Sequence, residues 1–326
     1  MPSSRRRDRP RGVAAAVLQW VLQLGMRIVL AGASGFLGRA LVRTLVGDGH
    51  ELTLLTRRPK GGPGGLRQVA WQPDGTARSW ADVVDGAGAV VNLAGESIAE
   101  GRWTASRKAA LIESRLLSTR SLVAAIEGAR VRPPLLVSSS AVGYYGPHGD
   151  EMLTEADGPG DDFLARLSAE WEHAAQAAES GGTRVVLVRT GLVLERDGGA
   201  LKAMLPPFRF GVGGPLGSGT QYWSWIHRAD WVALVRFLLA HPTLQGSINA
   251  TAPAPVTNGE FARTLARVLR RPCLFRAPAF ALRLAMGEMA DALLLNGQRV
   301  VPARAQEMEF RFVYETLEPA LRAILR

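Results

Sequence analysis

The sequence predicts an α/β protein built from parallel βαβ units. Three observations carry this reading. Short β-rich runs alternate with amphipathic helical stretches from Met26 onward. A glycine-spaced turn, Gly32-Ala33-Ser34-Gly35-Phe36-Leu37-Gly38, joins the first such run to the first helical one. After residue 190 the texture changes: glycine and proline cluster at 198–219 and aromatics at 222–231.

The expected strands are 27–31, 51–55, 68–71, 89–93, 134–138 and 183–189, with helices over about 36–48, 104–129 and 161–180 between them. Helices connecting parallel strands pack on both faces of the sheet they join. Gly61-Gly62-Pro63-Gly64-Gly65 reads as a loop within this unit. A further strand-like run, Ser247 to Thr251, precedes a helical tail over 257–326 rich in Arg, Ala and Leu. Three segments follow: an extension over 1–25, expected to be disordered; a nucleotide-binding unit over 26–190; and a smaller α/β substrate region over 191–326, returning elements to the sheet near 222–251.

Composition bounds the rest. The 326 residues are 47% hydrophobic and 21% charged, as in an ordinary globular protein, which excludes disorder as the main state. A single cysteine, Cys273, excludes an intramolecular disulfide framework. No apolar run reaches the roughly 18 to 20 residues that a membrane helix needs. The formal charge of +10 suggests a polyanionic partner, yet the arginines are scattered, and only three lysines occur: Lys60, Lys108 and Lys202. Residues 1–25 alone hold five arginines against Asp8, a net +4. With no basic stretch interleaved with stacking aromatics, an arginine-biased composition explains the charge better than a nucleic-acid surface.

Residues 1–12 are polar and basic and 13–25 mostly apolar, which mimics an export signal, and Ser4-Arg5-Arg6 hints at the twin-arginine kind. No small-x-small cleavage pattern follows; Met26 directly opens a strand. The segment therefore reads as an appendage, and a cytoplasmic setting is expected.

In the glycine turn, Gly32 permits the tight bend, Gly35 lets the backbone approach a pyrophosphate at the helix N-terminus, and Gly38 allows close helix–strand packing. The intervening Ser34, Phe36 and Leu37 belong to the same candidate cofactor site. The second strand runs into Arg57-Arg58, where an enzyme selecting NAD would place an acid. Two arginines suit a 2′-phosphate, so NADP is expected over NAD. The fourth strand ends in Asn92-Leu93-Ala94-Gly95, small residues against which a cofactor can lie. Glu96 beyond it has three open readings: a ribose contact, a substrate contact, or a turn cap.

These motifs, with Val137-Ser138-Ser139-Ser140 and Tyr144-Tyr145-Gly146, resemble the extended short-chain dehydrogenase/reductase superfamily of the nucleotide-sugar epimerase type. Arg102-Trp103, Ser114-Arg115, Trp171-Glu172, Arg189-Thr190-Gly191 and Trp225-Ile226-His227 are similar to its YfcH-like epimerase-family branch. The resemblance spans about 26–326. It implies a Rossmann-type parallel sheet with helices on both faces, bound NADP, and a smaller C-terminal region closing over a small-molecule substrate. Neither a nucleic-acid nor a membrane partner is expected.

Superfamily catalysis uses a tyrosine with a lysine four residues later, the lysine lowering the tyrosine pKa. Here the residues four beyond Tyr144, Tyr145, Tyr222 and Tyr314 are His148, Gly149, Ile226 and Glu318. The pair is absent, and Phe163-Leu164-Ala165-Arg166-Leu167-Ser168 stands in its place. Ser139 or Ser140 matches the superfamily's substrate-polarising hydroxyl, and Tyr144 or Tyr145 could donate a proton, Tyr145 being the candidate taken. His227 could titrate near neutrality, but it stands beside a helix start, where Asp230 reads as a cap or a helix-dipole partner, the reading preferred. The five histidines show no metal-ligand spacing, so no metal is expected. Two functions are consistent with this: an NADP-dependent oxidoreductase or epimerase on a small hydroxyl or carbonyl compound, and a non-catalytic NADP-binding redox sensor.

Overall fold

A computed structural model describes residues 25–60 and 65–326. Residues 1–24 of the extension expected over 1–25, and most of the glycine loop expected over 61–65, lie outside the described residues.

The sheet has seven strands, all parallel: β1 (Arg27–Ala31), β2 (Glu51–Thr56), β3 (Arg67–Ala70), β4 (Ala89–Asn92), β5 (Leu135–Ala141), β7 (Arg184–Thr190) and β11 (Gly246–Ala250). Their order, β11-β7-β5-β4-β1-β2-β3, reverses between β1 and β4. Such a switch point leaves a crevice at the carboxyl edge. The strands at the centre are apolar on both faces because helices cover both. On one face α1 (Phe36–Gly47) and α5 (Arg228–Ala240) bury Leu41, Leu45, Trp231 and Leu238 against Ile28, Leu30 and Val137. On the other, α2 (Ala105–Gly128) and α3 (Phe163–Gln176) bury Leu122, Ile126 and Ala175 against Val29, Val90 and Leu136.

The N-termini of these helices follow from local chemistry. Thr104 caps α2 by accepting from the Arg107 N–H, and Asp162 caps α3 by accepting from Ala165 N–H. At α5 the cap is His227, whose Nδ1 accepts from the Ala229 N–H at 3.0 Å. Of the two readings of Asp230, the cap is corrected, since its buried carboxylate accepts from the Val313 and Tyr314 amides, each at 2.9 Å; its place in the first turn of α5 agrees with the helix-dipole reading.

Three further expectations are corrected. Strand β5 runs to Ala141, beyond the expected end at 138, because Ser139, Ser140 and Ala141 pair with Val188, Arg189 and Thr190 of β7. In the returning segment only β11 enters the sheet. Strands β9 (Tyr222–Trp223) and β10 (Trp225–His227) instead form two-stranded pairs with β12 (Val256–Thr257) and β8 (Leu192–Leu194). The tail is not continuously helical: Pro272, Pro278 and Pro302 each remove a donor and fix φ, and Gly287 turns at φ +65°. It breaks into α6 (Asn258–Leu269), α7 (Ala279–Met286), α8 (Ala303–Glu307) and α9 (Leu317–Leu325), with a short strand β13 (Arg299–Val300) paired to β6 (Met152–Leu153). Helices α6, α9 and α4 (Gly199–Arg209) close a second core around Trp225, Phe261 and Leu321.

Candidate nucleotide site and the buried network behind it

The glycine turn lies at the carboxyl end of β1, beside the switch point. Gly32 takes φ +84°, and a Cβ on it would run into the Leu93 carbonyl. A Cβ on Gly38 would collide with the Gly32 carbonyl and the Ala33 backbone, so helix and strand approach only because both are glycine. Gly35 is different: it caps α1 without a side chain, is exposed, and its Cβ position is 3.3 Å from the Gly32 carbonyl oxygen. No side chain caps this helix and no acid occupies its first turn. Its orphan N–H groups and positive dipole end thus face the crevice, as an anion requires.

Exposed Ser34 completes the turn, its carbonyl accepting from the Arg39 Nη1 at 2.6 Å. Phe36 is pressed between α1 and the Gly198-Gly199 loop, with the Arg228 guanidinium 5.1 Å from its ring, and Leu37 packs toward the core. At the end of β2, Arg57 and Arg58 are both exposed, and neither forms an ion pair among the described residues. The cradle therefore fits a dinucleotide, with two free guanidinium groups where an adenosine 2′-phosphate would need them.

The fourth strand contributes a wall. Asn92 is fully buried; its amide donates to Thr119 Oγ1 at 2.9 Å and its Oδ1 accepts from the Ala94 N–H at 3.1 Å. Asn92 thus shapes the Leu93-Ala94-Gly95 turn from behind while its side chain points into the protein. Thr119 also receives the Trp171 indole N–H at 2.9 Å, which joins α2 to α3. The Glu96 carboxylate pairs with Arg107 rather than capping the following turn, and its carbonyl accepts from Arg115 Nη2 at 2.9 Å. Burial, then the neighbouring Arg107, draw the Arg115 guanidinium down to about 10, with Glu96 opposing.

At the end of β5 the three candidate catalytic residues separate. Ser139 is half-buried and makes no side-chain hydrogen bond among the described residues. Ser140 is buried and donates to Glu172 Oε1 at 2.6 Å. Tyr145 is fully buried; its hydroxyl donates to Asn249 Oδ1 at 2.8 Å and accepts from Arg189 Nη1 at 3.0 Å. Burial pushes this hydroxyl up to about 12, against the lowering effect of Arg189. Burial alone would lower the Arg189 guanidinium, but its bonds to Glu172 and Tyr145 hold it above its ordinary range. The Asn249 backbone N–H in turn donates to Glu155 Oε1 at 2.9 Å, and burial raises the Glu155 carboxyl.

The structure therefore brings Ser140, Glu172, Arg189, Tyr145 and Asn249 into one sealed network and leaves Ser139 outside it. Sequence reasoning quoted Trp171-Glu172 and Arg189-Thr190-Gly191 as family marks without giving them a task. A charged residue inside the apolar run Val185-Val186-Leu187-Val188-Arg189 was the available signal, since a buried arginine demands a carboxylate. Tyr144 stacks its ring on the Arg189 guanidinium, 3.5 Å from the centroid.

Comparison with known proteins agrees with this geometry. Residues 28–250 match the family model described as NAD dependent epimerase/dehydratase family, and 277–324 match a domain of unknown function. An epimerase family protein of Mycobacterium tuberculosis is 41% identical over 294 residues, 90% of this chain and 96% of that protein. A chloroplastic homolog of the epimerase family protein SDR39U1 in Arabidopsis thaliana is 42% identical over 309 residues, 92% of this chain and 87% of that one. The crystal structure of human epimerase family protein SDR39U1 (isoform 2) with NADPH superposes with a TM-score of 0.83 at 36% identity, covering 92% of this chain and 99% of that one. The chain belongs to the NAD dependent epimerase/dehydratase family.

Proposed function

We propose that the protein is an NADP(H)-dependent oxidoreductase or epimerase acting on a small hydroxyl or carbonyl compound in the cytoplasm. The observation that carries the cofactor assignment is the uncapped α1 N-terminus with Arg57 and Arg58 standing free at the end of β2. Supporting it, the similar human protein was crystallised with NADPH. When bound, the nicotinamide supplies or accepts the hydride.

The chain's own residues do the rest. Of Ser139, Ser140 and Tyr145, Ser139 alone makes no side-chain hydrogen bond among the described residues and is not fully buried, so we assign it the polarisation of the substrate oxygen. Ser140 and Tyr145, both weighed for that chemistry from sequence, are given a scaffolding role: Ser140 has its proton committed to Glu172, and Tyr145 is held neutral and sealed. Arg189 pairs with Glu172 in place of activating a tyrosine.

A second reading, a non-catalytic NADP(H)-binding protein, is favoured by one observation: two of the three candidate reactive hydroxyls are locked in the interior. One experiment separates the readings. Turnover is followed by nicotinamide absorbance and, for epimerisation, which returns the hydride and leaves no net absorbance change, by product stereochemistry, against a panel of small aldehydes, ketones and alcohols, with wild type and Ser139→Ala. We expect turnover in wild type and at least a tenfold loss in the variant, with NADPH affinity unchanged. Turnover equal in both sinks the Ser139 assignment; NADPH binding with no turnover on any compound establishes the second reading.

A further inference from the structure

Ten large apolar side chains are exposed among the described residues, and six of them gather on one face: Phe210 (83% exposed), Val212, Leu274 (81%), Phe275, Phe280 and Leu284 (78%). They come from three segments that the fold brings together. The chain leaving α4 runs beside the turn after α6: a Cβ on Gly211 would lie 3.5 Å from the Pro272 ring, and Leu216 bridges to Ala277. The Ala277 N–H donates to the Pro215 carbonyl at 2.9 Å, and the Gly217 N–H donates back to Ala277 at 2.9 Å. Helix α7 follows at once and buries none of its residues, so Phe280 and Leu284, one turn apart, extend the same surface.

The charge on this face is one-sided. Arg209, Arg270, Arg271 and Arg276 are exposed, directly beside the apolar tips in sequence, and none forms an ion pair among the described residues. Residues 199–287 hold ten Lys and Arg but only two acids, Asp230 and Glu260. Asp230 is wholly buried, which leaves Glu260 as the exposed acid of that stretch, and Glu288 just beyond it is paired with Lys108. Arg270 ends α6 in the left-handed region at φ +55° and turns the basic, apolar segment 270–276 away from the helix.

We propose that this face docks on the surface of an anionic lipid bilayer. The phosphates would meet the four unpaired arginines, and the apolar tips would enter the boundary between headgroups and acyl chains. Interfacial docking of this kind requires no membrane-crossing helix, and no helix of the described residues is long and apolar enough for one. A second copy is disfavoured as occupant, because a two-fold contact would set the same arginines against each other. A nucleic-acid strand could stack on Phe210, Phe275 and Phe280 but would leave Val212, Leu274 and Leu284 without the apolar cover that acyl chains supply. The face also adjoins the segment that opens α2: Arg102 donates to the Leu284 carbonyl at 3.3 Å, and Lys108 pairs with Glu288 at 2.5 Å.

The test is vesicle flotation of the full chain, using phosphatidylcholine alone and phosphatidylcholine mixed with phosphatidylglycerol. Two double variants are compared with wild type: Phe210→Ser with Leu274→Ser, and Arg270→Glu with Arg271→Glu. All three proteins share residues 1–24, so a difference between them belongs to this face, and thermal melting verifies that each is folded. We expect wild type to float with the anionic vesicles only, with less floating as salt is raised, and each variant to lose at least tenfold in binding. Absence of flotation with anionic vesicles, or flotation unchanged in both variants, overturns the proposal. So does a dimer in sedimentation that the Phe210→Ser, Leu274→Ser variant dissolves, since the occupant is then a second copy.

Discussion

Glu172 on α3 and Arg189 on β7 form a two-pronged ion pair in the protein interior, Nε to Oε1 at 2.8 Å and Nη2 to Oε2 at 2.9 Å, with both side chains at most 6% exposed. The other side-chain bonds of the two groups among the described residues are also made inside, to Ser140 and Tyr145. A planar guanidinium suits this arrangement because its fork matches the carboxylate edge.

Breaking that pair on one side leaves a buried charge without its partner. Glu172→Gln is expected to destabilise the fold by about 3–5 kcal/mol, whereas Glu172→Leu combined with Arg189→Met loses markedly less. Urea denaturation of the three proteins measures both. A Glu172→Gln loss under about 1 kcal/mol, the range of surface pairs, contradicts the assignment.

Ser140→Ala removes one donor to Glu172 while Arg189 Nε still bonds the same oxygen. The expected cost is about 1 kcal/mol of stability with NADPH affinity unchanged. Denaturation paired with a fluorescence titration reads the two separately; a loss of NADPH binding would place Ser140 at the cofactor.

The glycines of the turn are separable. Gly38→Ala puts a methyl group into the Gly32 carbonyl and should lower the melting temperature by several degrees. Gly35→Ala, with only a 3.3 Å approach to relieve, should keep the fold but weaken NADPH at least tenfold by filling the cradle. Melting curves with and without NADPH distinguish them.

Arg57→Ala with Arg58→Ala tests the 2′-phosphate contact. Charge-assisted hydrogen bonds contribute about 1.5–3 kcal/mol each, so losing both should lower NADPH affinity by roughly 100-fold or more. NADH affinity should barely move. Equal losses for both cofactors would remove the arginines from that role.

Tyr145 gives a pH signature. Its folded value of about 12 exceeds the ordinary 10, so the folded protein holds the phenolic proton more tightly. The stability this contributes is complete below pH 10 and is lost as pH rises from there through 12. Tyr145→Phe should flatten that part of the curve. Melting temperature across the alkaline range, with tyrosine absorbance followed in parallel, checks it.

Much of the nucleotide side was legible because each feature is local. A strand, a glycine turn and a helix sit in one continuous stretch, and the steric demand on Gly32 and Gly38 is written in their missing side chains. Arg57 and Arg58 follow a strand end by one residue, so the sheet order places them without further information. Asn92 was less legible: its position at the strand end is local, but whether its amide faces the crevice or Thr119 depends on a helix 27 residues away. The three-serine run shows the same limit. Alternation on β5 sets Ser139 and Ser140 on opposite faces once the strand extends to Ala141, and that extension exists only because β7 pairs with it.

The sequence by itself determined the α/β architecture, the nucleotide turn, the preference for a phosphate-bearing cofactor, and the absence of a tyrosine with a lysine four residues on. These rest on periodicity, backbone sterics and counting, which need no partner from elsewhere in the chain. Only the tertiary structure decided which hydroxyl is free. Burial and pairing join Ser140, Glu172, Arg189 and Asn249 across as many as 109 positions of sequence, from residue 140 to residue 249, and no local pattern encodes such contacts. It also gathered arginines and apolar tips from around residues 210, 274 and 284 onto one face, giving part of the charge a location that counting left open. The physical reason is the same in both cases: the energy of a buried or clustered charge depends on what the fold places beside it, and only the fold chooses those neighbours.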